Sequence, residues 1–111
     1  MAADKALDGF GRYAGPARLA RMSVAGGAKH GYALTKDIES FAGVRVAPGT
    51  LYEALARLQG QGLIEPVESQ DRRRPYRLTA AGATTLQAQL DAQRRVADIG
   101  LRRLAQGWGP A

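Results

Sequence analysis

Four arginines lie within six positions near the middle of the chain: Arg72, Arg73, Arg74 and Arg77. A guanidinium group carries a permanent charge and a planar fork of donors, which suits hydrogen bonding to phosphate oxygens. Such a cluster is either a binding site for a polyanion or a solvated turn. Residues 48–79 contain five basic and four acidic side chains, so bulk charge does not separate these alternatives and the flanking elements must decide.

The segment before the arginines is predicted to form a helix that begins at Pro48 and ends near Gly60. Its inward face carries three leucines at i, i+4 and i+7 spacing: Leu51, Leu55 and Leu58. The natural N-cap, Ala47, has no side-chain oxygen, which costs about 1 kcal/mol relative to Ser or Thr. We expect the free amides to be available to water or to a phosphate group. The opposite face presents Thr50, Glu53, Ala54 and Arg57.

Residues 63–68 and 75–79 are predicted to form two strands on either side of the arginine turn, with Tyr76 and Leu78 on one face. Because Pro66 and Pro75 cannot donate to a strand ladder, we expect an edge ribbon of two strands. A hairpin of this kind would present the arginines at its tip.

Two further helices are predicted upstream, one from about Pro16 to the Gly26-Gly27 stop and one from about Tyr32 to Ala42. The second has an inward face of Leu34, Ile38 and Phe41, and Gly43 supplies a left-handed stop. Val44–Val46 fits a short strand or an extended link. Three helices followed by a two-stranded ribbon predict a mostly α, α+β fold of the winged helix-turn-helix type.

A long helix should follow from about Ala80, with Thr79 as its cap. It carries a heptad-like stripe of Leu86, Leu90, Gln93, Ala97, Leu101, Leu104 and Trp108. This apolar face lies outside the core of the three helices, so another surface must shield it from water. The same helix of a second copy is the commonest partner. The alternative is that the helix folds back on its own domain. We therefore predict a homodimer interface at Leu86, Leu90, Ala97, Leu101, Leu104 and Trp108.

The 111 residues suit one domain, which we divide into three parts. Residues 1–14 are expected to be a flexible lead, 15–79 a DNA-binding winged helix-turn-helix domain, and 80–111 a dimerisation helix. The formal net charge of +6 favours acidic partners. The sequence has no cysteine, no bilayer-spanning apolar run and no secretory signal, so we expect a soluble cytoplasmic protein.

Catalysis and metal binding have little support in the sequence. His30 is the only histidine, and without cysteine or a second histidine it is expected to be a structural turn residue rather than a metal ligand. Neither Ser23, Ser40 nor Ser69 lies in a nucleophile-elbow sequence. The glycine-rich residues 26–31 lack the Gly-Lys-Ser/Thr ending of a phosphate loop. The chain is predicted to be a non-enzyme without metal or cofactor.

Successive motifs carry a more specific likeness: His30-Gly31-Tyr32-Ala33-Leu34, Pro48-Gly49-Thr50-Leu51-Tyr52, Gly62-Leu63-Ile64, and Pro75-Tyr76-Arg77-Leu78-Thr79 with Gly82. Together they resemble the PadR family of transcriptional regulators, in its compact branch with a single C-terminal helix. The resemblance covers roughly residues 16–90. It implies a homodimeric repressor that places the third helix in the major groove and the wing on the backbone or minor groove of double-stranded DNA.

The candidate DNA-binding residues are Lys36, Arg45, Pro48, Gly49, Thr50, Tyr52, Glu53, Arg57, Arg72, Arg73, Arg74 and Tyr76. Arg57 could instead form a surface ion pair with Glu53 one turn earlier. Trp108 could contact a hydrophobic aromatic effector between paired C-terminal helices, as in some compact PadR-like proteins, or simply pack in the interface. Two other functions remain open: an effector sensor acting through the dimer interface, and a winged-helix module that binds protein.

Overall fold

Three helices and a two-stranded antiparallel sheet surround one apolar core, and a long helix extends from them. The computed structural model describes residues 15–69 and 72–109. Residues 15–25 form α1; the other elements are α2 (Gly31–Ala42), α3 (Pro48–Gly60), β1 (Ile64–Pro66), β2 (Tyr76–Leu78) and α4 (Ala80–Gly107). This is the predicted mostly helical, winged helix-turn-helix fold. The predicted N-terminal lead, residues 1–14, lies outside the described residues.

The core is built by small apolar faces of each element. It contains Ala20, Val24, Leu34, Ile38, Val46, Leu51, Leu55, Leu58 and Ile64. The predicted leucine face of α3 is buried as expected, but Ala54, assigned to the outer face, is also buried. Phe41 was predicted to be inside, yet it is 44% exposed, while Ala42 beside it packs against the core.

The ends of the helices show why the elements begin and stop where they do. His30 caps α2, its Nδ1 accepting from the Ala33 amide at 3.4 Å, and Gly43 ends it with a φ of 67°. No side chain caps α3 at Ala47, as predicted. Thr79 caps α4 by accepting from the Gly82 amide at 3.0 Å. Residues 43–47 form a link without a strand.

The wing is shorter than predicted, with three residues in each strand. The register pairs Ile64 with Leu78 and Pro66 with Tyr76. Because Pro66 and Pro75 supply no amide hydrogen, the ladder weakens toward the tip. The wing is also tied to the α1–α2 link, since Lys29 and Tyr76 exchange two backbone hydrogen bonds of 3.0 and 2.8 Å.

Helix α4 has 28 residues, a length of about 42 Å, and the residues that it buries lie in its first two turns. Its buried residues are Gly82 and Leu86. Gly82 lies against the chain at Leu63, whose carbonyl oxygen would overlap a Cβ atom at this position. Within the described residues, no helix combines the length and apolar character needed to cross a membrane.

Candidate nucleic-acid interface

The N-terminus of α3 is exposed and its first amides have no side-chain cap. Pro48, Gly49 and Thr50 are all exposed, and Ala47 provides no acceptor. Helix N-termini carry a partial positive charge and point unpaired N–H groups outward. This end of α3 can therefore accept an anionic group such as a phosphate.

The outer face of α3 presents Glu53 and Arg57 to solvent. Their side chains form an i,i+4 ion pair, with 3.7 Å between Arg57 Nη2 and Glu53 Oε1. This is the surface pair weighed as the alternative role of Arg57. Both side chains are more than 60% exposed, so the pair is weak and Arg57 can exchange Glu53 for another acceptor at little cost.

Tyr52 lies where α3 meets the start of α2. Tyr52 is 60% exposed, and a Cβ built on Gly31 would come within 3.2 Å of Tyr52 Cε1 and 3.3 Å of its hydroxyl oxygen. Gly31 thus leaves room for the outer edge of the ring, including the hydroxyl, to lie against the start of α2. Tyr52 is therefore partly packed against α2 and partly exposed.

The wing arginines converge on the same surface as Tyr52. A concavity of about 460 Å³ is lined by His30, Gly31, Tyr32, Tyr52, Arg72, Arg73, Arg74 and Tyr76. All three arginines are exposed. The fold therefore brings the wing arginines, the start of α2 and the second turn of α3 together around one groove, although they are distant in sequence.

Arg45 borders a second concavity of about 550 Å³, on the other side of Tyr52. Its lining includes Tyr32, Thr35, Val46, Pro48 and Leu51. Lys36 projects from α2 nearby, with its amine 5.7 Å from the centre of the Tyr32 ring, a cation–π distance. Arg45 therefore lies beside the start of α3, whereas Lys36 lies over Tyr32 of α2.

Arg77 differs from the other arginines of the cluster. Its Nε donates to Oε1 of Glu65, its register partner on the other strand, at 2.7 Å. The charge of Arg77 is therefore offset within the wing.

Tyr32 was not among the candidate DNA-binding residues predicted from the sequence. It is 64% exposed and lines both concavities. Its neighbour His30 also lines the wing groove while capping α2. The signal available in the sequence was a tyrosine directly after Gly31, at the predicted start of a helix.

The predicted interface stripe on α4 divides into two parts. Leu86 is buried in its own protomer and offers no surface to a second copy. Leu90 is half-buried, whereas Leu101, Leu104 and Trp108 are 64%, 56% and 78% exposed. Ala97 is exposed beside a shallow concavity that also includes Val96. The uncovered apolar surface thus lies in residues 90–108, beyond the first turns of α4.

The fold is that of a winged helix-turn-helix protein. It has three helices, of which the third exposes its outer face, and a two-stranded wing with arginines at its tip. The sequence matches the family model of the transcriptional regulator PadR-like family over residues 22–88. The chain belongs to this family of transcriptional regulators.

The chain is also similar in sequence to two curated relatives and similar in structure to a solved member of the family. It is 41% identical over 78 residues, 70% of its length, to an uncharacterized 37.1 kDa protein in transposon TN4556 of Streptomyces fradiae. It is 43% identical over 60 residues, 51% of its length, to the transcriptional regulator Rv3488 of Mycobacterium tuberculosis. The matches span 23% and 55% of those relatives' own lengths. A PadR family transcriptional regulator from Eggerthella lenta superposes with a TM-score of 0.67 at 26% identity, covering 97% of this chain and 99% of that one.

Proposed function

We propose that the chain is a homodimeric, sequence-specific DNA-binding regulator, and specifically a repressor that recognises an inverted repeat. The observation that carries the proposal is the shared groove of about 460 Å³, which joins the wing arginines to α3 through Tyr52. A wing and a helix on one side of a small domain can hold the backbone and the major groove of a duplex together.

The contacts we assign follow from exposure and chemistry. Arg72, Arg73 and Arg74 would bind phosphates or enter the minor groove, and the uncapped start of α3 would hold a phosphate through Gly49 and Thr50. Base edges would be read from the outer face of α3 by Arg57, whose fork fits guanine. The remaining contacts are assigned to Lys36, Arg45, Pro48, Tyr52, Glu53 and Tyr76.

Dimerisation is assigned to the uncovered apolar surface of α4. Leu90, Ala97, Leu101, Leu104 and Trp108 would pack against the same residues of a second copy, because a twofold axis makes one patch complementary to itself. We accordingly assign residues 15–79 to DNA binding and residues 80–111 to dimerisation, in a protein that works in the cytoplasm. Contact between Trp108 and an aromatic effector stays a prediction.

Removing two wing arginines tests the backbone contacts directly. In Arg73→Ala/Arg74→Ala, we expect weaker binding to every duplex and a smaller dependence of log K on log salt, by about 0.9 for each lost phosphate contact. The measurement is fluorescence anisotropy of labelled duplexes across a salt series.

The matched control is Arg95→Ala/Arg102→Ala, which removes two exposed arginines from α4 and should leave the slope unchanged. If the wing variant and the control had equal slopes, the wing would have no part in DNA binding.

A further inference from the structure

Arg21 of α1 is a buried cation held by neutral groups. Only 5% of the residue is exposed. Its two terminal nitrogens donate to Thr85 Oγ1, at 3.4 Å, and to Gln89 Oε1. These acceptors lie one turn apart on the same face of α4, so the planar guanidinium bridges two successive turns of that helix.

No carboxylate among residues 15–69 and 72–109 pairs with Arg21 or with its neighbour Arg18. The Nε atoms of both arginines are buried without a hydrogen-bond partner. Desolvation, and secondly the positive charge of Arg18, lower the pKa of Arg21. A buried charged side chain stabilises a protein as much as a hydrophobic residue of similar volume only when its geometry is excellent and all its hydrogen bonds are satisfied. Stability alone therefore gives no reason for an arginine here.

The position of the contact suggests another reason. The last fully buried residue of α4 is Leu86, and Gln89 lies one turn closer to the exposed part of the helix. Beyond it, Val96, Leu101 and Leu104 are all more than half exposed. Arg21 thus binds α4 through hydrogen bonds at the point where this helix leaves the rest of the protomer.

We propose that Arg21 is a positioning residue that fixes the angle at which α4 leaves the winged domain, and so sets the distance between the two DNA-binding surfaces of the dimer. The inference rests on the proposed homodimer. A guanidinium group bound to two successive turns of a helix restricts its direction, whereas the contacts of Gly82 and Leu86 hold only its first two turns. Because one base pair moves a half-site by about 3.4 Å along the axis, a looser angle would relax the preference for one spacing.

The sequence provides a direct way to test this, since the chain has no cysteine. Ser40→Cys on α2 is exposed and would carry one spin label per protomer. The distance distribution between the two labels, measured by double electron–electron resonance, should be narrow with Arg21 present. In Arg21→Met, which retains an unbranched side chain of similar length, we expect it to be about twice as wide.

The thermal midpoint of Arg21→Met should be equal to or above that of the parent, since a role in stability alone would lower it without changing the width. Arg95→Met, an exposed arginine of α4, is the matched control and should leave the width unchanged. Equal widths for Arg21→Met and the parent would overturn the inference while leaving the dimer intact. No dipolar signal in the parent would overturn the inference together with the dimer.

Discussion

Gly82→Ala should destabilise the protein by about 3 kcal/mol or more, the largest effect we expect from a single methyl group. A Cβ at this position would overlap the carbonyl oxygen of Leu63 and lie 2.9 Å from Leu78 Cδ1. The backbone oxygen cannot move without breaking the bond it accepts from the Thr79 amide, at 3.1 Å. The start of α4 would then separate from the wing. Thermal unfolding should show the midpoint lowered by more than about 10 °C.

The matched control for this substitution is Gly60→Ala at the end of α3. A Cβ at Gly60 meets no atom within 4 Å, so alanine should be neutral or stabilising by up to about 1 kcal/mol. If the two variants unfolded at the same temperature, the close approach of α4 to Leu63 would not be a feature of the folded protein in solution.

Leu101→Asp/Leu104→Asp should abolish dimerisation and lower the apparent affinity for the operator by about 100-fold or more. Both leucines are exposed within the protomer, so its fold should be retained. In the proposed dimer, the substitutions would bring four carboxylates into one apolar interface, where unpaired charges are costly. Sedimentation velocity at micromolar concentration measures the oligomeric state. Fluorescence anisotropy with a duplex that the parent protein binds measures the affinity.

Arg102→Asp is the matched control because it also changes the charge of each protomer by two units. Position 102 lies about 100° around the helix from Leu101, and Arg102 is exposed. This variant should remain dimeric. A dimeric Leu101→Asp/Leu104→Asp protein would exclude the apolar stripe as the interface, whatever its affinity for DNA.

Much of the fold was predictable because local signals and the global fold agree. The leucine spacing of α3, the αL glycine at Gly43, and the cap at Thr79 each specify a structure by themselves. The errors occur where burial depends on distant elements. Phe41 continues the apolar spacing of α2 but is 44% exposed, whereas Ala42, which lies outside that spacing, packs against the core. Ala54 is small enough to be buried at the edge of the leucine face.

The candidate site was predictable in its chemistry but not in its geometry. The predicted strands on either side of the arginine turn located the wing arginines, because a hairpin exposes the residues at its tip. The contact between Gly31 and Tyr52 depends on how α2 crosses α3, which residue spacing does not specify. The burial of Arg21 was missed for a different reason. Arginine is almost never fully buried unless paired, and its acceptors on α4 are more than sixty positions away.

Selection of bound fragments from a pool of random duplexes, at a stated salt concentration, tests the proposed mode of action most directly. Two protomers related by a twofold axis should enrich an inverted repeat whose half-sites are centred about one helical turn, 10–10.5 base pairs, apart. Enrichment of a single unrepeated half-site, or no enrichment over the starting pool at low salt, would contradict recognition of DNA by a symmetric dimer.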